Sequence, residues 1–391
     1  MRYVSDTLEK LAEEKFVFLS GPRQVGKTTV VKEWLKKQNG VYFNWDVPAQ
    51  RDQILQKTFM QTVSAPAIVL DEIHKYARWK SWVKGLFDSR SNDLKAVVTG
   101  SARLDLYQKG GDSLLGRYEL LRLHPFSIGE LSRKSSEGIP APPEDWLHLE
   151  TENKPSRSLW EQLDRRSGFP EPFTRDNSLQ HRRWSLRRRD LLVREDLRDL
   201  SYVKEISLIE HLVVLLPNHV ASPLSLNSLR EEIQVAFDTV KTWMNILETL
   251  YLCFRISPYS KKINRSLKKE KKLYFWDWSQ VPNLGARFEN MVASHLLKSI
   301  QVWNDIGYGE FELHYWRDLE GREVDFIITE SRKPIVAIEC KKEDCNLSPH
   351  LIRLCEALQI PGIQLVDSKG INSVRKNMRV VSADSFLSAL V

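Results

Sequence analysis

The chain has 391 residues, 42% of them apolar, with 58 Lys and Arg against 51 Asp and Glu for a net charge of +7. That length accommodates about two to four domains with real apolar cores, and no apolar run approaches the roughly 18 residues of a membrane span. Cys253, Cys340, Cys345 and Cys355 form no C-x-x-C pair and have no partnered His, which argues against zinc and a disulfide framework; with no apolar leader core at the N-terminus, a reduced cytosol is expected.

In chain order, an apolar run from Phe16 to Leu19 feeds into Gly21-Pro22-Arg23-Gln24-Val25-Gly26-Lys27-Thr28-Thr29. A strand that ends in such a loop and opens into a helix aims successive backbone N–H groups at one spot, where the helix N-terminus favours a phosphate. Gly21, Gln24, Val25, Gly26 and Thr29 then belong to the cradle, Lys27 reaches the β- and γ-phosphate oxygens, and the Thr28 hydroxyl ligates Mg²⁺. The following helix, to about Lys37, presents Val30, Val31, Trp34 and Leu35 to a sheet. Ala67-Ile68-Val69-Leu70-Asp71-Glu72 reads as a buried parallel strand beside the first, closing on two carboxylates. Asp71 is expected to hold the Mg²⁺ shell and Glu72 to take a proton from the attacking water. ATP, or a close relative, is the expected ligand, and His74 just downstream reads as a packing residue.

A third strand, Ala96 to Thr99, ends in Gly100-Ser101. The Ser101 hydroxyl either senses the γ-phosphate or simply belongs to a turn. Leu114-Leu115-Gly116-Arg117 precedes a strand-like Glu119 to Leu123. Arg117 is either a solvated cation or, in an oligomer, a finger into the neighbour's γ-phosphate, an effect on the order of 10³–10⁵ in rate.

The succession of P-loop, Leu70-Asp71-Glu72-Ile73, Thr99-Gly100-Ser101, Leu114-Leu115-Gly116-Arg117 and His124-Pro125-Phe126-Ser127-Ile128-Gly129-Glu130-Leu131 resembles bacterial and archaeal AAA-type ATPases of the P-loop fold. Their C-terminal half is a domain of unknown function with a restriction-endonuclease-like core, and the resemblance runs along essentially the whole chain. It implies ATP hydrolysis in a homo-oligomeric assembly, a ring with the hexamer as one form. The α/β organisation expected is an AAA-type core over 1–131, a linker and helical lid over 132–203, a winged helix over 204–281 and a mixed α/β nuclease-like domain over 282–391.

Ser132 to Pro155, with Pro140, Pro142 and Pro143, reads as a linker. His181 to Leu200 is amphipathic and carries Arg182, Arg183, Arg187, Arg188, Arg189 and Arg194 around Trp184. That run is a solvated helix face, a phosphate-facing stripe or an inter-subunit contact, and the family places its lid here. Helical patterns from Ile206 to Leu216, around Leu226 and from Phe237 to Leu247 precede two alternating runs, Leu250 to Ile256 and Leu273 to Trp278. These runs bracket Lys261, Lys262, Arg265, Lys268, Lys269, Lys271 and Lys272, a winged-helix pattern. In such a module Thr239, Lys241, Thr242 and Asn245 face the major groove and the wing rides the phosphates. Docking of a protein is the other use of this module.

Near the C-terminus, Glu289 lies on a helical stretch, Asp325 within Glu323 to Ile328, and Glu339-Cys340-Lys341 ends an apolar strand run. Asp on one strand and Glu-x-Lys on the next place three side chains on one face. Two carboxylates can hold Mg²⁺, with Lys341 beside them and Glu289 as the helical carboxylate, as in restriction enzymes. A structural ion network is the alternative. Three functions follow: an ATPase that moves or remodels DNA, an ATP-gated metal-dependent nuclease, and a nucleotide-driven switch that binds a protein.

Overall fold

The computed structural model describes residues 2–56, 65–90, 93–100, 114–134, 137–150, 157–197, 205–260 and 269–391. They fall into two compact units, Met1–His124 with Thr249–Tyr251, and Pro125–Glu248 with Leu252–Val391.

In the first unit five strands form one sheet: β1 (Phe16–Ser20), β2 (Val41–Asn44), β3 (Ala67–Asp71), β4 (Lys95–Thr99) and β5 (Tyr118–Arg122). All are parallel, in the order β2-β3-β4-β1-β5. β1 and β3 are buried at every position, as unbroken apolar runs in a parallel sheet should be. One expectation is corrected here. β3 does not lie beside β1, because β4 is inserted between them, with Val97 opposite both Val17 and Val69. Ala96, Val97 and Val98 are fully buried, and the central position is the one that covers both faces and both edges of so apolar a strand. On one face Phe16, Phe18, Ile68, Leu70, Ala96 and Val98 pack with Trp79, Val83 and Leu86. The helix Lys27–Gln38 buries Val30, Val31, Trp34 and Leu35, the stripe its sequence period indicates.

The second unit is built on a nine-stranded mixed sheet ordered β13-β14-β12-β11-β10-β9-β7-β8-β6. Its strands are β6 (Pro223–Leu224), β7 (Cys253–Pro258), β8 (Lys271–Phe275), β9 (Phe311–Arg317), β10 (Glu323–Glu330), β11 (Lys333–Lys341), β12 (Gly362–Val366), β13 (Asn372–Arg375) and β14 (Met378–Ser382). Upstream of β7 come the helices Ile206–Leu215, Leu226–Ile233 and Phe237–Thr249. β7 and β8 form an antiparallel hairpin, β6 pairs with β8, and β7 joins β9 in parallel through Ser257 and Pro258. The hairpin therefore shares one sheet with the C-terminal strands.

The 22-residue helix Leu284–Asp305 is buried over most of its length. Around it gather the helices Arg157–Arg166, Pro170–Arg175 and Ser178–Asp190, the stretch expected to include a lid. Trp160 packs edge-on against Phe288 and donates its Nε1–H to Asp367 Oδ1 at 2.7 Å, while Trp278 donates to Leu163 O at 2.8 Å. These contacts belong to the second unit. The Pro-rich stretch expected as a linker has no regular secondary structure over 137–150, yet it is pinned. Trp146 is buried against Trp303 and Phe386, and Trp303 donates to Pro140 O at 2.8 Å.

Candidate functional site

The glycine-rich loop runs from the C-terminal end of β1 into the helix Lys27–Gln38. Gly26 caps that helix at φ 100° and Gln24 sits at φ 64°, turning backbone that brings consecutive N–H groups round to one side. A Cβ on Gly21 would lie 2.2 Å from Leu123 O, so no other residue fits where the loop leaves the sheet. Lys27 donates to Gly21 O at 2.8 Å and to Pro22 O at 2.9 Å, which holds its ammonium at the loop. Arg2 ties the loop down by donating to Val25 O at 2.7 Å. Thr29 is exposed on the first helical turn.

Asp71, at the end of β3, is buried and held on several sides. Thr28 Oγ1 donates to Oδ2 at 3.3 Å, Tyr42 hydroxyl donates to the same oxygen, and Thr99 hydroxyl donates to Oδ1. Such charge-assisted contacts fix a carboxylate's orientation. Burial, with Asp71 and Glu72 adding repulsion, pushes the Tyr42 phenol well above its usual range, so it stays a donor. Glu72 follows in a left-handed conformation at φ 59°, its N–H donating to Thr99 O at 3.0 Å. Burial first, and Asp71 second, push the Glu72 carboxyl up, with Lys75 and Lys27 opposing; a raised carboxylate is a stronger proton acceptor. His74 Nε2 lies 3.5 Å from Glu72 Oε2 and the ring is buried.

Tyr42 and Thr99 were not read as site residues from the sequence. Thr99 closes an apolar strand at the level of Asp71, a polar ending that carried a signal. Tyr42 sits on a short, half-exposed strand with no periodicity to mark it. Ser101 lies outside the described residues. Arg117 precedes β5, whose first residue, Tyr118, pairs with Phe16 at the start of β1. It is thus about five residues, roughly 16 Å, from its own loop along the sheet. It makes a two-point contact with Asp88, 2.7 Å from Nε and 3.3 Å from Nη2, which raises the guanidinium and lowers the Asp88 carboxyl.

In the second unit, the β10–β11 register of Phe326 with Ile338 sets Asp325 opposite Glu339. Lys341 Nζ lies 2.9 Å from Glu339 Oε1, and the Asp325 N–H donates to Glu339 Oε2 at 3.4 Å. Glu289 reaches the same place from the long helix. A second lysine is there too, and this corrects the reading of the wing. Lys272, counted among the phosphate-facing cations, is fully buried, with Nζ 3.0 Å from Glu289, 2.6 Å from Glu323 and 3.2 Å from Asp325. β8 lies between β6 and β7 and is buried at every position after the exposed Lys271; alternation puts Lys272 on the same face as Tyr274. Tyr274 hydroxyl donates to Glu289 Oε1 at 2.7 Å, and Cys340 N–H to Asp325 Oδ2 at 2.9 Å. Burial and Asp325 push Glu289 up to about 8 and Glu339 up to about 7. Burial would lower Lys272, but Tyr274, Glu289, Asp325 and Glu323 outweigh it and hold the ammonium raised. Glu323 and Lys272 were not read as members of this cluster from the sequence, although the spacing of Glu323, two residues before Asp325 on one strand face, carried a signal.

On the helix Phe237–Thr249, Lys241, Thr242 and Asn245 are exposed and Thr239 half-buried; Asn245 accepts from Arg255 Nη2 at 2.9 Å. Lys269 is exposed, whereas Lys261, Lys262, Arg265 and Lys268 lie outside the described residues. In the arginine run, Arg182, Arg183 and Arg187 are exposed. Arg188 is buried with its guanidinium 4.2 Å over the Phe169 ring, a packing residue, whereas Arg194 is exposed and pairs with Glu210 at 2.7 Å. Among the described residues, no helix is long and apolar enough to cross a membrane.

Residues 13–132 match a family model described as an AAA domain, residues 157–288 a domain of unknown function, and residues 284–386 a second domain of unknown function. Uncharacterized proteins of Mycobacterium bovis and Mycobacterium tuberculosis are each 20% identical over 333 residues, which is 81% of this chain and 68% of theirs. Among solved structures, a RuvB variant of Thermotoga maritima aligns at 16% identity and a TM-score of 0.30, over 64% of this chain and 88% of that one. A signal transduction ATPase of the STAND type with a tetratricopeptide repeat sensor, from Pyrococcus horikoshii, aligns at 11% identity and 0.24, over 77% of this chain and 47% of its own. The glycine-bounded loop, the five-stranded parallel sheet with its acidic strand end, and the match over residues 13–132 together make the N-terminal part of this chain an AAA-type P-loop ATPase domain.

Proposed function

We propose that the protein hydrolyses ATP with Mg²⁺ as a homo-oligomer and couples hydrolysis to bound DNA. The observation that carries the reading is the Asp71 carboxylate, oriented by Thr28, Thr99 and Tyr42 at the mouth of the glycine-rich loop. Glu72 stands next to it with its carboxyl pushed up. The Thr28 hydroxyl and the Asp71 carboxylate, 3.3 Å apart, are hard oxygen donors of the kind Mg²⁺ takes. When bound there, the ion neutralises charge on the β- and γ-phosphate oxygens. The loop N–H groups and Lys27 bind the phosphates, and Glu72 accepts the proton of the attacking water.

Arg117 precedes β5, at the end of the sheet remote from its own loop, a position that supports action on a neighbouring subunit. The order helix, short strand, helix, helix, hairpin over 206–275 supports a winged helix, and the exposed Lys241, Thr242 and Asn245 support DNA as what it binds.

Steady-state ATP turnover tests the reading. Glu72→Gln and Arg117→Ala should each be inactive alone. Mixed, they should regain part of the activity, because a Glu72→Gln subunit still lends Arg117 to a neighbour with an intact Glu72. Turnover should rise on adding DNA at low salt and lose that response at moderate salt. Turnover indifferent to every DNA tried would instead favour a switch that binds a protein.

A further inference from the structure

The carboxylate cluster of the second unit has the residue types of a metal-dependent nuclease, yet its geometry does not fit a divalent ion. Mg²⁺ requires several oxygens at roughly 2.0–2.1 Å in near-octahedral array. Here the oxygens converge instead on Lys272 Nζ, at 3.0, 2.6 and 3.2 Å from Glu289, Glu323 and Asp325. These are ammonium–carboxylate distances.

Both oxygens of Asp325 and of Glu339, and one of Glu289, already have partners. Asp325 Oδ1 faces Lys272 and Oδ2 accepts from Cys340 N–H; Glu289 Oε1 accepts from both Lys272 and Tyr274; Glu339 is shared between Lys341 and the Asp325 N–H. A fixed positive charge about 3 Å from the coordinating oxygens also repels a dication in a low-dielectric setting. Nor does any group of three or more His, Cys, Asp or Glu among the described residues stand in a metal-holding arrangement.

Lys272 is not a mobile surface lysine swung inward. It belongs to β8, whose neighbours β6 and β7 hold it by backbone pairing on both sides, and its side chain is fully buried. Its ammonium stands over the Tyr315 ring, with Nζ 5.8 Å from the ring centre.

We propose that the Lys272 ammonium takes the place of the divalent cation in this cluster, making it a metal-free form of an Asp…Glu-x-Lys site that cleaves no nucleic acid. The lysine serves as the permanent counter-charge that ties the helix bearing Glu289 to β8 and β10. Its loss leaves acids with nothing to neutralise them, a state in which a divalent ion enters. The proposal stands apart from the ATPase reading, since neither depends on the other.

Mn²⁺ binding to the full-length, nucleotide-free chain, counted by electron paramagnetic resonance, tests it. Wild type and Asp325→Asn should bind the same number of ions, and Lys272→Met should gain one ion that the added Asp325→Asn removes. Asp71→Asn controls for an ion at the glycine-rich loop. A wild-type Mn²⁺ ion that Asp325→Asn abolishes overturns the proposal, and so does a folded Lys272→Met that gains none. The wild-type comparison needs no Lys272 variant and decides the matter even if that variant does not fold. In parallel, duplex, branched and single-stranded DNA with Mn²⁺ should stay uncut by wild type, and cutting abolished by Asp325→Asn would equally sink the idea.

Discussion

At the scale of single residues, the first unit divides its chemistry between a carboxylate held by hydroxyls and one whose proton affinity is raised. Asp71 is pinned by three hydroxyls, whereas Glu72 keeps a raised carboxyl beside it. Replacing Glu72 by Gln keeps shape and removes the base; turnover is expected to fall about 10²- to 10⁴-fold while ATP binding, followed by a fluorescent analogue, stays within a few-fold. Thr99→Val removes one charge-assisted hydrogen bond from Asp71, worth about 1.5–3 kcal/mol. It should lower kcat by roughly tenfold or more and leave nucleotide affinity little changed; an unaltered kcat would remove Thr99 from the site. The loop and both acids were legible in the sequence because their geometry is local: glycine positions and an apolar run dictate it within nine residues. The ties of Tyr42 and Thr99 to Asp71 were not, because they span 29 and 28 residues and arise only once β2 and β4 flank β3.

At the scale of elements, the helix Leu284–Asp305 organises the second unit. Lys298, almost wholly buried, pairs with Glu130 at 2.6 Å and donates to Ser127 Oγ at 2.8 Å and Pro125 O at 3.2 Å. His295 donates through Nδ1 to Met291 O at 2.7 Å and accepts the Ile128 N–H at Nε2, 3.0 Å away. Those two contacts fix its tautomer, and burial holds its pKa down at about 4. The segment Pro125 to Glu130, in the sequence no more than part of a family resemblance, is therefore a plug seated on this helix. Lys298→Met leaves Glu130 charged and buried, so urea unfolding should show a loss of about 3–5 kcal/mol, and Lys298→Met with Glu130→Leu should recover much of it. Equal losses in the single and double variants would mean that the pair contributes through packing alone. Helices were legible from their period, but the strap over 137–150 was not. Its polarity and prolines read as a linker, and one tryptophan, Trp146, decides otherwise.

For the molecule as a whole, the buried acids set how stability responds to pH. Glu289 and Glu339 are pushed up to about 8 and about 7 from an ordinary value of 4.5, so the folded state holds protons that the unfolded chain releases. Their contribution is complete below about pH 4.5 and is lost as pH rises through 7 and 8. His295 acts in the opposite sense, its contribution being lost as pH falls from 6.5 through about 4. Between pH 6.5 and 8.5 the acids alone should govern, and urea midpoints ought to decline. Glu289→Gln should flatten that decline, and a slope unchanged by the substitution would rule Glu289 out as its source. The plug has a practical consequence for anyone dividing this polypeptide for expression. Residue 131 looks like the natural place to cut, yet a fragment of 132–391 loses Ser127 and Glu130 and uncovers the buried face of the long helix on which Pro125 to Glu130 sit. Such a fragment should precipitate or be degraded in the host, whereas one begun at Pro125, where the second unit starts, should be recovered in the supernatant.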